Sequence, residues 1–419
     1  MGSLRAARRV TLRTLVATLA LALPAAAETS ALARCLAERE LPRVARVRGP
    51  DERAHYVRVV AQRDGIPSAV APIAPGDTEL ALVLERAGEV DASGEVWEIA
   101  GNAGGSHFCS PIALARDEID AERRVIVAAG LNYAAHAEEA GGGDVFLFPK
   151  PVAPSAPYGV VPLPSGEVLL DYEIELGFVL TSEVRLRDLP SREELLAHSA
   201  FFVANEISNR EPIIREKPLS GTSTGFVEGK GQPGFLPAGP WLVRGRELFA
   251  ALSACGGEGL GLRLEVDEGA GFVVRQASSS ARMILDPHAL LVRLAEWVEA
   301  HGLRSPMPLR WRGKTRYYPL ALDPQAPHLP AGSLLLTGTP DGVALRVPDA
   351  LALTGRGLLH LRGPIEQFRQ EELARAAAGA PGGYLAAGDR VRARIDGLGA
   401  QIVRIGPPGA AIPDPCAAP

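Results

Sequence analysis

The segment Leu170–Glu175, with the sequence LDYEIE, is followed directly by the apolar run LGFVL at Leu176–Leu180. Successive side chains of a β-strand point to opposite faces, so a strand through this segment places Asp171, Glu173 and Glu175 on one face. Carboxylates aligned on a strand that enters an apolar core repel one another and are costly to bury. A divalent cation makes this arrangement favourable, and oxygen ligands suit Mg²⁺, Ca²⁺ or Mn²⁺. Taken alone, the segment is equally compatible with a solvent-facing polar strand edge.

The composition favours a large, loop-rich β protein. A chain of 419 residues is long enough for a large core and for more than one domain. The net charge of -5 is small and both signs are mixed along the chain. A nucleic-acid surface needs a basic patch, so we expect no nucleic-acid partner. The 45 glycines and 35 prolines, with few aromatic residues, favour β structure over a helical bundle.

The N-terminus has the features of an export signal. Several arginines precede the short apolar run Leu15–Leu23, and small residues place a cleavage site after Ala27. We therefore interpret residues 1–27 as a signal peptide and expect a periplasmic or secreted protein. The apolar run is too short for a stable membrane span, so we expect no membrane attachment after cleavage. Arg8 and Arg9 leave a twin-arginine signal and a general secretory signal both open.

Four cysteines, Cys35, Cys109, Cys255 and Cys416, follow the signal. In an oxidising compartment they permit two disulfides with three possible pairings. We favour Cys35–Cys109 with Cys255–Cys416, because the first pair lies within one predicted region. The alternative is that some of the four are ordinary buried thiols.

Several segments carry recognisable helix and strand signals. The predicted elements are a helix over Glu28–Gly49, a capping box at Ser191–Glu194, a hairpin of Leu262–Val266 with Gly271–Gln276, a helix capped by Asp286 with Pro287 first and Gly302 after its end, a helix from Pro364, and strands Arg390–Ile395 and Gln401–Ile405.

A candidate general base follows the predicted buried strand Val125–Ala129. On a short helix His136 and Glu139 are three residues apart and share a face. A carboxylate beside an imidazole orients it and raises its basicity, which is how a general base is built. A surface pair worth a few tenths of a kcal/mol is the alternative. The glycines at Gly141–Gly143 form either a mobile lid or a plain linker.

Two further strand ends supply polar candidates. Glu206 follows the strand-like run Phe201–Ala204, and Arg210 can bind a substrate carboxylate with two hydrogen bonds. The strand Leu334–Thr337 ends in a turn where backbone N–H groups and the Thr339 hydroxyl suit an anionic oxygen.

The segment Gly221–Gly225 matches the GxSxG pattern of a serine nucleophile elbow. That elbow requires a helix directly after the serine. Residues Phe226–Gly234 contain three glycines and a proline, so we predict no helix there and reject the elbow.

Together these motifs resemble the fumarylacetoacetate hydrolase family over roughly residues 120–405. Each motif alone has low specificity for the family, but the order and spacing of the motifs along the chain are specific. The matching segments are GLNYAAHAEE at Gly130–Glu139, FPKP at Phe148–Pro151, LDYEIE, ANEISNR at Ala204–Arg210, Lys230–Trp241, TGTPDGV at Thr337–Val343 and GDRVRARIDGLG at Gly388–Gly399.

The resemblance implies an α+β, mainly β fold, a fumarylacetoacetase C-terminal-like mixed β-roll with short helices, and usually a homodimer. We divide the chain into a small N-terminal accessory region (28–120), a catalytic domain (121–406) and a Pro-rich tail (407–419). The resemblance also implies a divalent metal, most readily Mg²⁺, with Mn²⁺ and Ca²⁺ as alternatives. By position the metal ligands are Glu173, Glu175 and Glu206.

The resemblance also assigns roles around the metal. His136 and Glu139 form a dyad that activates water or moves a proton, and Lys230 helps to bind water or a substrate oxygen. Arg210, Thr339 and Tyr133 contact the substrate. The expected activity is hydrolysis of a C–C bond in a 2,4-dioxo acid, or a related β-dicarbonyl, through a metal-stabilised enolate. Alternatives are a decarboxylase, isomerase or hydratase of the same family, and a non-catalytic exported binding protein on this scaffold.

The sequence departs from the family pattern in five places. The third ligand is Glu206, where hydrolase-like members have Asp and the hydratase and decarboxylase branch has Glu. Ile213 stands where many members have a substrate-binding Gln seven residues after that ligand. The links at 303–330 and 343–388 are long, and we expect the Pro-rich residues 303–330 to be irregular. Most members also lack an export signal. These departures leave the substrate open.

Overall fold

A computed structural model describes residues 30–90, 94–99, 107–114, 123–217, 224–302, 309–311, 314–316, 319–348, 363–379 and 382–416. The predicted signal peptide, Thr222 and Ser223 of the rejected elbow, and part of each long link lie outside these ranges. Within them, no helix has both the length and the apolar character that crossing a membrane requires.

The protein contains many short strands and few long helices. The helices are α1 (Ala31–Glu38), α2 (Leu80–Ala87), α3 (Ala134–Glu139), α4 (Arg192–Ala197), α5 (Arg210–Arg215), α6 (Phe226–Lys230), α7 (Gly245–Ala254), α8 (Pro287–His301) and α9 (Pro364–Ala377). The strands are β1 (Val44–Arg48), β2 (Ala54–Arg63), β3 (Ile66–Pro75), β4 (Trp97–Glu98), β5 (Phe108–Cys109), β6 (Ile126–Gly130), β7 (Phe146–Pro149), β8 (Val160–Pro162), β9 (Leu170–Asp171), β10 (Ile174–Leu180), β11 (Val184–Arg185), β12 (Ser199–Asn205), β13 (Ser208–Asn209), β14 (Val243–Arg244), β15 (Gly261–Asp267), β16 (Phe272–Ser279), β17 (Leu309–Trp311), β18 (Lys314–Arg316), β19 (His328–Leu329), β20 (Leu334–Leu336), β21 (Arg390–Ile395) and β22 (Gly399–Gly406).

The N-terminal region forms its own sheet, with strand order β4-β3-β2-β1-β5. The helix predicted over Glu28–Gly49 was wrong beyond its first part, since α1 ends at Glu38 and β1 begins at Val44. Pro42 cannot continue a helix and disfavours helical backbone at the residue before it. The apolar–polar alternation of VARVR at Val44–Arg48 then suits a strand.

A six-stranded sheet with the order β14-β12-β10-β20-β6-β7 lies at the centre of the protein. All seven residues of β10 and of β12 are buried. Gly177 of β10 lies under the Phe202 ring of β12, where an added Cβ would be 2.4 Å from a ring carbon. The pairing of β20 with β6 is parallel, whereas the other pairings in this sheet are antiparallel.

We predicted one continuous strand through the LDYEIE segment, and this prediction was wrong. The segment is interrupted at Tyr172 and Glu173: β9 pairs with β13, and β10 pairs with β12. Asp171 therefore belongs to a different strand pair from Glu175, and it is not part of the group formed by Glu173, Glu175 and Glu206. The interruption separates a structural carboxylate from the two that remain close together.

A second five-stranded sheet has the order β16-β15-β21-β22-β8. The predicted hairpin is confirmed as β15 and β16, and the predicted C-terminal strands are confirmed as β21 and β22. The β22–β8 pairing is parallel and the rest are antiparallel. The expected α+β, mainly β fold with mixed sheets and short helices is thus confirmed.

The predicted helix boundaries at caps hold well. Ser191 and Glu194 form the complete capping box of α4. The Asp286 side chain accepts the backbone N–H groups of His288 and Ala289 at the start of α8. Helix α9 begins at Pro364 as predicted.

Two predictions about irregular segments were wrong. The short helix α6 follows the Gly221–Gly225 segment, where we had predicted no helix. It spans only one turn and ends at Lys230, because Gly231 and Pro233 follow. The long link at 303–330, predicted to be irregular, contains the paired strands β17 and β18.

The predicted disulfide pairing was wrong. The structure pairs Cys35 with Cys255 and Cys109 with Cys416, across 220 and 307 residues of sequence. Each bond joins the N-terminal region to a later segment, α1 to the end of α7 and β5 to the C-terminal tail. Our pairing assumed bonding within one region, whereas the N-terminal region packs against the rest of the chain.

Replacing Cys109 and Cys416 together by serine is expected to lower the free energy of unfolding by about 2–4 kcal/mol, since the bond restricts a very long loop of the unfolded chain. Urea unfolding of the oxidised proteins measures the difference. Dithiothreitol should destabilise the wild type more than this variant, which keeps the Cys35–Cys255 bond as an internal control. An unchanged free energy of unfolding would contradict the pairing.

Candidate functional site

Three buried carboxylates meet beside the interruption between β9 and β10. Glu173, Glu175 and Glu206 each place one oxygen within 4.8 Å of the other two. Their exposed fractions are 2%, 1% and 1%. The antiparallel pairing of Glu175 with Ala204 brings the two strands into register, and the Glu206 N–H donates to the Glu173 carbonyl at 2.7 Å. The strands themselves therefore bring together the three residues that the sequence singled out as ligands.

Two buried lysines contact these carboxylates. The Lys230 ammonium donates to Glu173 and to Glu206. Lys150 lies 3.3 Å from Glu206 Oε1 and donates to the Lys230 carbonyl at 2.8 Å. Burial lowers the Lys230 pKa, but Glu173 and Glu206 outweigh this and raise it above its usual value. Burial, opposed by Glu206 and reinforced by Lys230, lowers the pKa of Lys150 to about 8.

Glu175 forms no ion pair with a cationic side chain of the described residues. Its Oε2 accepts the Gly338 N–H at 2.7 Å. Burial, together with the charges of Glu206 and Glu173, holds the Glu175 pKa well above its usual range. The carboxylates of this cluster repel one another, and a bound cation would relieve that repulsion.

The donor set fits a hard divalent cation. All three groups offer carboxylate oxygens, which Mg²⁺, Mn²⁺ and Ca²⁺ prefer. Glu206 Oε1 is buried and accepts no hydrogen bond among the described residues. The Lys150 ammonium at 3.3 Å compensates part of the charge on this oxygen, and a metal ion would provide the direct ligand that the oxygen lacks.

Arg210 is held by protein carboxylates on both sides. Its Nε donates to Asp171 at 2.8 Å, and its Nη2 donates to Glu173. Asp171 also accepts the N–H groups of Ala344 and Leu345, at 2.8 and 3.2 Å. Asp171 thus fixes Arg210 and the start of the long link at 343–388.

The candidate dyad lies on α3, directly after β6. His136 Nδ1 is 3.8 Å from Glu139 Oε2, an ion-pair distance but too long for a hydrogen bond, and no described residue forms a hydrogen bond with Nδ1. Glu139 accepts the Gly342 N–H at 2.9 Å. Although burial raises the Glu139 pKa, His136 and that N–H lower it below its usual value. Glu139 is therefore an ionised acceptor beside an imidazole nitrogen that is free to bond to it.

The substrate candidates lie at the same end of the sheet. The Tyr133 hydroxyl is buried and has no hydrogen-bond partner within the described part of the chain. Thr339 follows Gly338, the donor to Glu175, and its exposed fraction is 3%. Ile213, at the position where many family members have Gln, packs on α5 against Gly229 of α6. Its side chain offers no hydrogen bond to a substrate.

Three buried residues of the site were not predicted from the sequence. Lys150 was visible only as part of FPKP, and its burial could not be seen. Asn132 bonds to the backbone of Leu285 and Thr337 and fixes the turn after β6. Gln276 bonds to Ile174 and Thr339. A buried amide side chain has no sequence signal of its own, since its role depends on what packs around it.

Curated relatives align with parts of the chain. A Burkholderia cenocepacia protein provisionally named a hydrolase is 28% identical over 193 residues, covering 40% of this chain and 64% of the relative. The chain thus spans less than two thirds of that relative's length. A Burkholderia multivorans protein with a similar name is 27% identical over 283 residues, covering 65% of this chain and 71% of the relative.

Solved structures share the fold at low sequence identity. A 5-carboxymethyl-2-hydroxymuconate delta-isomerase from Mycobacterium smegmatis matches with a TM-score of 0.51 and 18% identity, covering 87% of this chain and 99% of that chain. A fumarylacetoacetate hydrolase from Exiguobacterium antarcticum matches with a TM-score of 0.53 and 20% identity, over 87% and 99% of the two chains.

The family model described as fumarylacetoacetate (FAA) hydrolase C-terminal matches residues 125–405. That range contains the three carboxylates, both lysines, the dyad and Thr339. The chain therefore belongs to the fumarylacetoacetate hydrolase family.

Proposed function

We propose that this protein is a metal-dependent hydrolase that cleaves a C–C bond in a 2,4-dioxo acid or a related β-dicarbonyl. The observation that carries the proposal is the buried cluster of Glu173, Glu175 and Glu206, with the Glu206 oxygen that accepts no hydrogen bond. The dyad of His136 and Glu139 on α3 supplies the second requirement, a general base.

The three glutamates would hold the metal, most readily Mg²⁺, with Mn²⁺ or Ca²⁺ as alternatives. When bound, the metal supplies a Lewis acid that polarises a substrate carbonyl. Lys230, which donates to Glu173 and Glu206, keeps part of their charge neutralised and directs an ammonium group into the same cluster. Arg210 keeps Glu173 oriented through its hydrogen bond.

The dyad performs the proton transfer. His136 removes a proton from water, and the ionised Glu139 stabilises the imidazolium that forms. The hydroxide attacks the carbonyl carbon distal to the 2-oxo acid end. The bond from that carbon to the methylene carbon then breaks, and the methylene carbon takes up the proton. The products are a carboxylic acid and a 2-oxo acid, so the atoms of substrate and water are conserved.

The dyad must close to form its hydrogen bond, because its atoms are 3.8 Å apart. The glycines at Gly141–Gly143, with φ of 88°, 87° and 134°, follow α3 directly. Glycine adopts such angles without strain, so this triplet is suited to act as the hinge of a closing segment.

The buried Tyr133 hydroxyl and the Thr339 hydroxyl are the candidate donors to the substrate. Arg210 contributes to the site mainly by holding the Asp171 and Glu173 carboxylates in place. We assign its remaining nitrogen, Nη1, to a hydrogen bond with the substrate. Since Ile213 offers no hydrogen bond, we expect the substrate to present an apolar group on that side.

The second candidate reaction is isomerisation or decarboxylation of an oxo acid at the same site. Glu206 in place of Asp favours it, and the delta-isomerase with the same fold has a name of this kind. A non-catalytic exported binding protein is the third candidate. The dyad and the lysines argue against it, since simple binding does not need a general base.

We further propose that the protein is exported and acts as a homodimer. Two disulfides and no free cysteine among the described residues support an oxidising compartment. Val273 and Val274 on the edge strand β16 are exposed apolar residues, which supports contact with a second copy through this edge. Light scattering of the oxidised protein tests the dimer, and a monomer would contradict it.

With Mg²⁺ or Mn²⁺, the chain from Glu28 is expected to consume acylpyruvates and to release pyruvate with a carboxylic acid, and a chelator should abolish turnover. Loss of enol absorbance and product chromatography measure this. Release of CO₂ from oxaloacetate instead would favour the decarboxylase. Tight Mg²⁺ binding without turnover of any acylpyruvate or of oxaloacetate would contradict the hydrolase proposal.

The change His136→Ala is expected to reduce kcat by about 100-fold or more, because the general base is lost. Calorimetry should show Mg²⁺ affinity unchanged, since the imidazole is not among the three ligands. The change His301→Ala, at the exposed end of α8, is the matched control and should leave kcat unchanged. Undiminished turnover by His136→Ala would refute the dyad.

The change Glu175→Gln is expected to raise the Tm of the metal-free protein, because it removes one of three buried carboxylates that repel one another. The same change should weaken Mg²⁺ binding by more than about tenfold, since a charged ligand is lost. Thermal unfolding with and without Mg²⁺ measures both effects. If Mg²⁺ raises the Tm of Glu175→Gln as much as that of the wild type, Glu175 is not a ligand.

A further inference from the structure

Gln276 connects the segment Glu173–Glu175, which carries two of the proposed ligands, to the turn that carries Thr339. It is 1% exposed. Its Oε1 accepts the Ile174 N–H at 2.9 Å, and Ile174 lies between two of the proposed ligands. Its Nε2 donates to Thr339 Oγ1 at 2.9 Å and to the Pro340 carbonyl at 2.8 Å. One side chain thus spans two segments that are far apart in sequence.

A β-bulge directs Gln276 towards this position. Leu264 of β15 pairs with Gln276, whereas Glu265 pairs with Val274, so Arg275 is the additional residue on β16. Bulges change the direction of side chains and are common beside active sites. The turn packs closely on the bulge: at Gly342, with φ of 98°, an added Cβ would lie 2.1 Å from the Arg275 carbonyl oxygen.

The neighbours of the Gln276 amide decide its orientation. The Ile174 N–H can only donate, so it requires the amide oxygen. The Pro340 carbonyl can only accept, so it requires the amide nitrogen. Thr339 Oγ1 must then accept the second amide hydrogen, and the hydroxyl proton of Thr339 remains available to another acceptor. No hydrogen bond in which this hydroxyl is the donor occurs within the described ranges.

We propose that Gln276 is a positioning residue that makes Thr339 a hydrogen-bond donor to a carboxylate oxygen of the substrate. This inference rests on the proposed function, since it takes an oxo acid as the ligand. Gln276 also fixes the distance between this donor and the ligand strand, because it bonds to Ile174 at the same time. The substrate carboxylate therefore meets a hydroxyl whose direction is set before binding.

Binding of oxalate to the Mg²⁺-loaded full chain tests the proposal by calorimetry. Oxalate is a small dicarboxylate that resembles the acid end of an oxo acid. Gln276→Met and Thr339→Val should each weaken oxalate binding by about tenfold, the range expected for one hydrogen bond to a charged group. The double variant should bind no more weakly than Thr339→Val alone, because Gln276 acts through Thr339. For an acylpyruvate, KM should rise more than kcat falls.

Gln401→Met is the matched control. Gln401 is equally buried, lies in the same five-stranded sheet, and donates to the carbonyls of Val203 and Pro237. Its replacement should lower the Tm without changing oxalate affinity. Amide exchange gives a measurement that needs no ligand: the Ile174 N–H should exchange faster in Gln276→Met, where it has lost its acceptor.

The outcomes distinguish the role of Gln276 from the proposed function of the protein. Oxalate affinity that is unchanged in Gln276→Met, or losses that add in the double variant, would overturn the role of Gln276 and leave the hydrolase proposal intact. A wild-type protein that binds Mg²⁺ but neither binds oxalate nor consumes any oxo acid would overturn the proposed function together with this inference.

Discussion

The site depends on carboxylates that the fold buries among apolar strands. Glu173, Glu175 and Glu206 are almost fully buried, and burial of an ionised carboxylate is unfavourable unless positive charge or hydrogen bonds compensate for it. Lys230 and Arg210 compensate for Glu173, and the Gly338 N–H partly compensates for Glu175. The compensation is incomplete at Glu175, whose pKa is raised, and at Glu206, where one oxygen lies 3.3 Å from the Lys150 ammonium but accepts no hydrogen bond from the described residues. A structural network would be expected to satisfy these groups, whereas a binding site keeps them ready for a cation.

Much of the architecture was predictable because its signals are local. The capping box at Ser191, the Asp286 cap and the hairpin of β15 and β16 are encoded by residues a few positions apart. The candidate ligands were identified through order and spacing in the family motifs, and the structure brings one oxygen of each within 4.8 Å of the others. Alternation alone would have misled, since it groups Asp171 with the glutamates. The interruption after Asp171 depends on β9 pairing with β13, a contact between distant segments.

The disulfide pairing and the buried polar residues that were missed depend on long-range packing. The disulfides join the N-terminal region to α7 and to the tail, and four cysteines in a sequence do not specify which segments meet. Lys150 and Gln276 look like ordinary polar residues until their burial is known. Gln276 becomes informative only because a bulge turns it towards the 338–342 turn. Sequence patterns identify groups that carry charge, whereas the residues that orient them are recognisable only from their contacts.

The long link at 343–388 contacts the site at several points, and two of them lie beside Arg210. At its start, Ala344 and Leu345 donate to Asp171, the carboxylate that also holds Arg210. In its helix α9, Arg369 donates to Glu211 at 3.0 Å, the residue next to Arg210 on α5. Both attachments converge on the short helix that carries Arg210, and that helix also carries Ile213. A one-and-a-half-turn helix has little stability of its own, so its position must come from such tertiary contacts. Contacts from the long link therefore help to fix the positions of Arg210, which holds Glu173, and of Ile213, whose side chain has no hydrogen-bonding group.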